Sequence, residues 1–530
     1  MSLIKNVGTI GGLTAVSRVF GFARDMLFAR LFGAGLAADA FQLAFTLPNT
    51  FRRLFAEGAF SVAFVPMYSK KLHSEGGEDE AAHFANDVLS VFVWVLFGFS
   101  ILCILGMEGI VWLLAREYHS VPGKFELSVT LSRVTFPYLG LISVVALLSG
   151  ILNTRSRFAP GAIAPILLNL CLIGAMSWGW YRGDDEFAKA FTQSWAVAAA
   201  GIAQLSYLWW SVRRAGVRLD LHWPKMTPDT KVLLWRIFPA TFGAGIYQLS
   251  QLADTFFATS LKQGSLTLLK MGDRLNQMPL GIVGIALGTA ILPTLSRHIA
   301  GGDEKGAAKL QGRAIELATL LTIPAAFALA VCATSFVNAF FVGGKFKPED
   351  GAIMSQIVVA LVCGLPSYVL VKVLEPGYFS RGDTRTPVMT AGSALAFNIF
   401  LNLVVVRPFG IVGLAAATAC SASLNCLLLY ANLHARGHFR FDLKLLGRIV
   451  RQIAASAVMA AALWYLQAAI APWFTASVGE KALGIVLLVA TGMTVYAVVA
   501  WVIGAVDKED LAILARRRSA KPIDEEIPGF

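Results

Sequence analysis

The sequence predicts an all-α polytopic membrane protein, and three observations support this fold class. The chain has 530 residues, 56% of them hydrophobic, and a mean hydropathy of +0.64, which is too apolar for a soluble protein of this size. Its apolar residues form runs of about 20, the length that crosses a bilayer. Short polar connections separate these runs. The first run contains Arg18, Arg24 and Asp25 and continues into a full span, so we expect a retained helix and not a cleaved signal.

About fourteen apolar runs are long enough to span the membrane. They lie at 7–32, 37–66, 87–115, 129–152, 159–181, 188–212, 232–261, 268–296, 314–342, 352–379, 387–406, 409–433, 450–471 and 482–504. Lys and Arg are concentrated in the connections on the side of the N-terminus, for example Lys70, Lys71, Arg213 and Arg214. Because positive loops stay in the cytoplasm, both termini are predicted to be cytoplasmic.

A weak internal repeat appears at an offset of about 227 residues, as expected of repeat-built transporters. Segment 47–70 aligns with 274–297, which matches Asn49 to Asn276 and Pro66 to Pro293. Farther along, 149–160 aligns with the segment that ends at Pro387. Six spans in each half give both halves the same orientation, so we expect parallel lobes with a cavity where they meet.

The repeat divides the chain into four predicted regions. Two six-span lobes come first, then two added spans, then a polar tail. The regions are an N-terminal lobe at 1–222, a C-terminal lobe at 223–440, spans thirteen and fourteen within 441–505, and a cytoplasmic tail at 506–530.

Charged residues lie in spans where a lipid-facing helix should have none. Each costs roughly 2.5–3.5 kcal/mol near the bilayer centre, so they must face protein or water. They are Arg18, Arg24, Asp25, Asp39, Arg52, Arg53, Glu57, Asp273 and Arg274. Internal ion pairing is one interpretation, since Arg53 and Glu57 lie four residues apart and Arg24 adjoins Asp25.

The excess of positive charge favours a second interpretation, a water-filled cationic cavity shaped for an anion. Arginine has a planar fork that suits phosphate oxygens. The candidate residues for a diphosphate or similar head are therefore Arg18, Arg24, Arg52 and Arg274. The charge partners that would orient these arginines, or act in gating, are Asp25, Asp39, Arg53, Glu57 and Asp273.

A cation site is a further hypothesis. Asn398 and Asn402 lie four residues apart on one helical face, Thr418 begins the next span, and Asp254 is an isolated acid in span seven. Oxygen ligands of this kind suit Na⁺. The alternative is that the Asn side chains simply hydrogen-bond to neighbouring helices.

Other classes of function lack their motifs. The sequence has no P-loop, no HExxH and no Ser/His/Asp candidate, so we expect no enzyme and no cofactor. The six cysteines lie in apolar segments without metal-ligand spacing. The net charge is +12, but the basic residues lie in short loops between apolar runs, which argues against nucleic-acid binding. Energy would come from Na⁺ or H⁺ gradients, from the membrane potential or from a substrate moving down its own gradient.

Several motifs resemble one family. They are SRVFGFARD, LPNTFRRLFAEGAFSVAFVP, GDRLNQMPLGIVGIALGTAILPTLSR and VLEPGYFSRGDTRTP. Together they resemble the MurJ/MviN family of lipid II flippases, within the multidrug/oligosaccharidyl-lipid/polysaccharide exporter superfamily. One departure is Thr46, where relatives often have Lys.

The resemblance implies an inner-membrane protein of bacterial cell-wall synthesis. It would move undecaprenyl-diphosphate-linked disaccharide peptide from the cytoplasmic to the periplasmic leaflet by alternating access. The family's essential arginines fall on Arg18, Arg24, Arg52 and Arg274. Spans thirteen and fourteen would form a groove for the polyprenyl tail. The implied partners are lipid II, membrane lipids and other cell-wall synthesis proteins, without nucleic acid.

Two alternatives stay open on the sequence. One is a flippase for another polyprenyl-diphosphate-linked glycan. The other is a drug/cation antiporter of the same superfamily, although a cavity for cationic drugs should be acidic and aromatic.

Overall fold

The computed structural model describes residues 3–53 and 59–506, and these ranges are helical with no β-strand. The all-α class is therefore confirmed. Glu57 and the tail after Val506 lie outside the described residues. The helices of the first half are α1 (Leu3–Phe32), α2 (Leu36–Arg52), α3 (Ala59–Leu72), α4 (Gly77–Leu105), α5 (Met107–Leu114), α6 (Lys124–Thr135), α7 (Tyr138–Thr154), α8 (Ala159–Tyr181) and α9 (Glu186–Arg214).

The second half is also helical. Its helices are α10 (Pro228–Thr259), α11 (Ser265–Pro279), α12 (Ile285–Ala300), α13 (Glu304–Phe340), α14 (Pro348–Cys363), α15 (Leu365–Phe379), α16 (Arg385–Ala435), α17 (Leu443–Ala469) and α18 (Val478–Val502). A π-helical turn at Leu280–Gly284 follows Pro279, which lacks the N–H that the α-helical ladder needs.

Every predicted span coincides with helix where it is described. Eight helical stretches of the described chain are long and apolar enough by themselves to cross a membrane. The remaining predicted spans include those on α1, α2 and α11, which carry the charged side chains. Spans eleven and twelve are continuous in α16 except at Gly410, whose φ of 57° and ψ of −138° suit only glycine. The chain is thus a multi-pass membrane protein.

The chain separates into two compact units. Unit 1 comprises Met1–Leu275, Phe340–Ala360 and Thr384–Ser421, and unit 2 comprises Asn276–Ala339, Leu361–Asp383 and Ala422–Phe530. These bounds differ from the predicted lobes at 1–222 and 223–440. The division into lobes stays a prediction from the internal repeat.

Unit 1 packs through close helix contacts on small residues and aromatic rings. A Cβ at Gly201 of α9 would lie 2.8 Å from Leu141 Cδ1 of α7, so glycine lets these helices approach. Phe28 of α1 stacks on Phe32 at 4.5 Å and contacts Phe41 of α2 at 5.5 Å between ring centroids. This packing fixes α1 and α2, which carry most of the predicted site.

Unit 2 joins α17 and α18 to α13. An apolar cluster includes Cys332 of α13, Met459 and Leu463 of α17, and Leu488 of α18. The Arg448 Nη1 atom lies 2.7 Å from both carboxylate oxygens of Glu316, which ties α17 to α13 by charge as well. The two added spans are therefore packed onto a long helix of the same unit.

Candidate functional site

The centre of the site is one carboxylate shared by two arginines. Asp25 of α1 accepts from the Arg24 Nε and Nη2 groups at 3.0 and 2.6 Å through Oδ1. Its Oδ2 lies 3.0 Å from Arg274 Nε of α11. Only 7% of the Asp25 side chain is exposed, against 38% for Arg274. A single carboxylate cannot neutralise both guanidinium groups, so positive charge remains.

Asn169 of α8 holds the orientation of Arg24. Its Oδ1 accepts from Arg24 Nη1 at 3.0 Å, and its Nδ2 donates to the Ser17 carbonyl at 3.2 Å. The amide thereby links α8 to α1 at two points. Because all three nitrogens of Arg24 are engaged, this guanidinium is preorganised. Sequence reasoning missed Asn169, which lies 145 residues from Arg24.

A small cavity of about 20 Å³, open to solvent on one side, adjoins these residues. Its charged lining consists of Arg24, Lys270 and Arg274 against the single carboxylate of Asp25. The remaining lining residues are Phe28, Phe41, Gln42, Phe45, Leu172, Gln193 and Met271. The cavity is therefore cationic with aromatic and amide walls.

Lys270 is the cavity cation that sequence reasoning missed. It precedes Arg274 by one helical turn on α11, and that spacing was the signal that could have identified it. The charges that act on Lys270 include Asp254, Asp273, Arg274 and Arg53. Predicted residues Asp273 and Arg53 are thus within electrostatic range of the cavity lining.

The other two predicted arginines, Arg52 and Arg18, lie outside the cavity lining, on α2 and α1. Arg52 donates from Nε and Nη2 to Asn49 Oδ1, one turn earlier on α2, at 3.1 and 3.0 Å. Arg18 is exposed on α1. The cavity lining brings together Arg24 and Arg274 of the four predicted arginines.

Asp39 has a different partner from the one expected. Its carboxylate was predicted to orient the cavity arginines, but its ionic partner in the structure is Lys124 of α6, at 2.9 Å. It also accepts from the Gly264 N–H at 2.7 Å and from the Thr267 N–H and hydroxyl at 3.1 and 2.8 Å. Lys124 in turn lies over the Tyr118 ring, 3.9 Å from the centroid. Both charges are buried, so Asp39 joins α2, α6 and the start of α11 as a structural ion pair.

The four residues predicted for a cation site lie near one another. Thr418 Oγ1 is 3.4 Å from each carboxylate oxygen of Asp254. Asn402 Nδ2 donates to Asn398 Oδ1 at 3.0 Å, and Asn398 Nδ2 donates to Ser421 Oγ at 3.3 Å. Both Asn side chains are fully buried.

One observation at these four residues points beyond helix packing. The buried Asn402 Oδ1 has no hydrogen-bond partner among the described residues. Such an oxygen costs about 1–3 kcal/mol unless a donor or cation satisfies it. Neutral oxygens beside one carboxylate form a donor set that fits a hard monovalent cation such as Na⁺. In the described ranges, no three His, Cys, Asp or Glu side chains come together as a metal site.

A family model described as "Lipid II flippase MurJ" matches residues 28–483. A "Probable lipid II flippase MurJ" of Rhizobium meliloti (strain 1021) is 42% identical over 507 residues, covering 95% of this chain and 94% of the relative. The protein of the same description from Vibrio cholerae serotype O1 is 36% identical, covering 95% and 96%. The "Lipid II flippase MurJ" of Burkholderia cenocepacia is 33% identical, covering 87% and 89%.

Two solved structures show the same fold. "Lipid II flippase MurJ, inward closed conformation" aligns with a TM-score of 0.77 at 24% identity, covering 95% of this chain and 99% of the other. An inward-facing multidrug resistance MATE family transporter of the MOP superfamily aligns with a TM-score of 0.66 at 12% identity, covering 80% and 95%. These likenesses support the all-α fold.

Proposed function

The chain belongs to the MurJ family, and from this premise we propose that it is a lipid II flippase. It would move undecaprenyl-diphosphate-linked peptidoglycan precursor from the cytoplasmic to the periplasmic leaflet. The observation that carries the proposal is the cavity whose three cationic side chains face a single carboxylate. A diphosphate head cannot cross about 30 Å of hydrocarbon unaided. The charged side chains of such a cavity would take the place of the water molecules that solvate the head.

The cavity residues act by charge and geometry. Arg24 is fixed by Asp25 and Asn169, so it offers a guanidinium of defined orientation. Arg274 uses Nε for Asp25 and is partly exposed, which leaves its planar fork accessible to phosphate oxygens. An arriving diphosphate would compete with Asp25 for both arginines. This competition gives the cavity different interactions when loaded and empty, as a transport cycle requires.

We place the protein in the bacterial cytoplasmic membrane with both termini in the cytoplasm. The lobes at 1–222 and 223–440 would alternate the access of the cavity between the two faces. Spans thirteen and fourteen would provide a groove for the polyprenyl tail. Other cell-wall synthesis proteins are further proposed partners. The membrane potential, worth about 2.3 kcal/mol per charge for 100 mV, would help the empty cationic cavity to reopen toward the cytoplasm.

Na⁺, or a proton, is the proposed coupling ion. Asp254, Asn402 and Thr418 would hold it, and the unsatisfied Asn402 Oδ1 supports this assignment. Lys270 lines the cationic cavity and also interacts electrostatically with Asp254. A cation at Asp254 would therefore change the charge balance that Lys270 experiences and link the two sites.

A complementation experiment tests the proposal. Cells depleted of the native protein receive wild type, Arg24→Ala, Arg274→Ala or the control Arg133→Ala. Arg133 is a half-buried arginine paired with Glu108, outside the cavity lining. We expect the two cavity variants to reach the membrane at normal levels but to reduce outward delivery of lipid II at least tenfold, because they remove phosphate ligands.

The same assay separates the alternatives. Full delivery of lipid II by both cavity variants contradicts the assigned site. If depletion of the protein leaves delivery of lipid II unchanged but removes another polyprenyl-diphosphate-linked glycan from the outer leaflet, that glycan is the substrate instead of lipid II. The drug/cation antiporter is disfavoured because its cationic substrates would be repelled by Arg24, Lys270 and Arg274.

A further inference from the structure

Three exposed arginines cluster at one end of unit 1, away from the cavity. Arg213 and Arg214 form the last turn of α9, and Arg157 lies in the turn between α7 and α8. Arg157 Nη1 donates to the Arg214 carbonyl at 3.4 Å, which brings the turn against the end of α9. The carbonyl ends of a helix attract cations, so this position favours positive side chains. We call this set the α9 arginine cluster.

Among the residues that the structure describes, the arginines of the cluster lack an acidic partner, unlike several other arginines near helix ends. Arg155 pairs with Glu78 at 3.1 Å, and Arg436 pairs with Asp383 at 2.6 Å. In the part of the chain that the structure describes, no carboxylate lies within ion-pair distance of Arg157, Arg213 or Arg214. Their positive charge is therefore available to a ligand.

Two tryptophans of α9 lie beside the arginines of the cluster. The Arg213 guanidinium lies over the Trp209 ring at 5.7 Å, and the Arg214 guanidinium lies over the Trp210 ring at 5.2 Å. Trp210 is 54% exposed and lies within the predicted span 188–212, so we expect its ring to face lipid. Indole rings prefer the headgroup level, and cation–π contacts keep the guanidinium groups beside them.

From this arrangement we propose that the α9 arginine cluster binds the headgroup phosphate of an anionic phospholipid. The arginine forks match phosphate oxygens, and the ring of Trp210 would lie against the acyl chains of the same lipid. The site lies on the face predicted to be cytoplasmic, where the positive-inside pattern places it. The inference does not depend on what the central cavity transports.

The test compares two double variants of the full chain. R213Q/R214Q removes the charge from the cluster. R116Q/R182Q is the matched control, because it removes two exposed arginines from the opposite end of unit 1. Arg116 also lies over a partly exposed ring, that of Trp112, at 5.4 Å. Equal thermal unfolding of both variants and wild type establishes that they are folded.

Purified protein in a neutral detergent is titrated with dioleoylphosphatidylglycerol, dioleoylphosphatidylcholine or inorganic phosphate, and bound lipid is counted by native mass spectrometry. We expect wild type and R116Q/R182Q to prefer phosphatidylglycerol, and R213Q/R214Q to bind it about tenfold more weakly. Inorganic phosphate at equal concentration should not displace the lipid. Equal phosphatidylglycerol binding by R213Q/R214Q and wild type overturns the proposal, and so does displacement by phosphate, which would indicate a soluble anion.

Discussion

At the scale of single residues, Asp25 and Asp39, both buried in unit 1, behave differently. Asp25 is shared by two arginines that it cannot neutralise together, whereas Asp39 is neutralised by Lys124 and satisfied by three further donors. The first arrangement leaves charge for a substrate. The second closes a structural contact between α2, α6 and α11.

The Asp39 arrangement gives a stability prediction. Asp39→Asn leaves the Lys124 ammonium buried without a counter-charge, so we expect the free energy of unfolding to fall by about 3–5 kcal/mol. Asp39→Asn/Lys124→Met removes both charges and should recover much of that loss. Thermal unfolding of purified protein compares wild type, Asp39→Asn, Lys124→Met and the double variant. If the double variant is as unstable as the sum of its two single variants, Asp39 and Lys124 are not coupled.

Sequence alone could predict only part of this chemistry. The Arg24–Asp25 contact follows from adjacency, and Arg274 was identified as a charge in an apolar span. Lys124 was not connected with Asp39, because 85 residues separate them and only tertiary packing brings them together. The four-residue spacing of Lys270 and Arg274 was visible in the sequence but was not used.

At the scale of helices and turns, glycine sets how closely the turn before α11 approaches the turn before α2. Gly264 has a φ of +91°, and a Cβ there would lie 2.4 Å from the Ala34 carbonyl oxygen. Gly123, before α6, also has a positive φ of +75°, but its Cβ would meet nothing within 4 Å. Comparing Gly264 with Gly123 therefore distinguishes the cost of a close contact from the cost of the left-handed backbone conformation that both residues share.

Gly264→Ala should therefore destabilise the protein more than Gly123→Ala. The Gly123 variant incurs only the cost of the left-handed conformation, about 1–2 kcal/mol. The Gly264 variant must also move a backbone carbonyl, which displaces the Gly264 N–H from Asp39. Melting temperatures of the two variants provide the comparison. Equal melting temperatures would show that the Ala34 contact does not constrain the turn.

The start of α13 gives a prediction about pH. The Gly306 N–H donates to Asp303 Oδ1 at 2.8 Å, and the His298 ring lies 2.9 Å from Oδ2. First the Gly306 hydrogen bond and then His298 lower the pKa of Asp303 below its ordinary value of 3.8. Since the folded-state pKa is lowered, this capping stabilisation is present above pH 3.8 and is lost as the pH falls through the lowered pKa.

The protection of the backbone amides of residues 304–308 against hydrogen exchange, corrected for the intrinsic exchange rate at each pH, reports on this capping. We expect protection in wild type at neutral pH that declines below the ordinary pKa of Asp303. Asp303→Ala should show low protection at every pH, because it lacks the cap. If its protection equals that of wild type at neutral pH, the carboxylate does not stabilise the start of α13.

At the scale of the whole molecule, hydropathy predicted where the spans lie, because lipid requires long apolar helices regardless of packing. The predicted spans coincide with helix, and the boundary between spans eleven and twelve at Gly410 was placed correctly to within a few residues. The compact units do not follow the repeat, since 340–360 and 384–421 belong to unit 1. Long-range packing of this kind leaves no periodic signal in the sequence.

Binding of the lipid diphosphate by the guanidinium groups of Arg24 and Arg274 is the proposal on which the function depends. Its most direct test is transport by purified protein in liposomes that contain lipid II with a fluorescent peptide. An impermeant reagent measures the fraction that reaches the opposite leaflet. We predict fast transfer with wild type and at least tenfold slower transfer with Arg274→Ala, whose side chain contacts Asp25 and lines the cavity. Transfer by Arg274→Ala at the wild-type rate, or transfer by wild type no faster than without protein, would contradict this proposal.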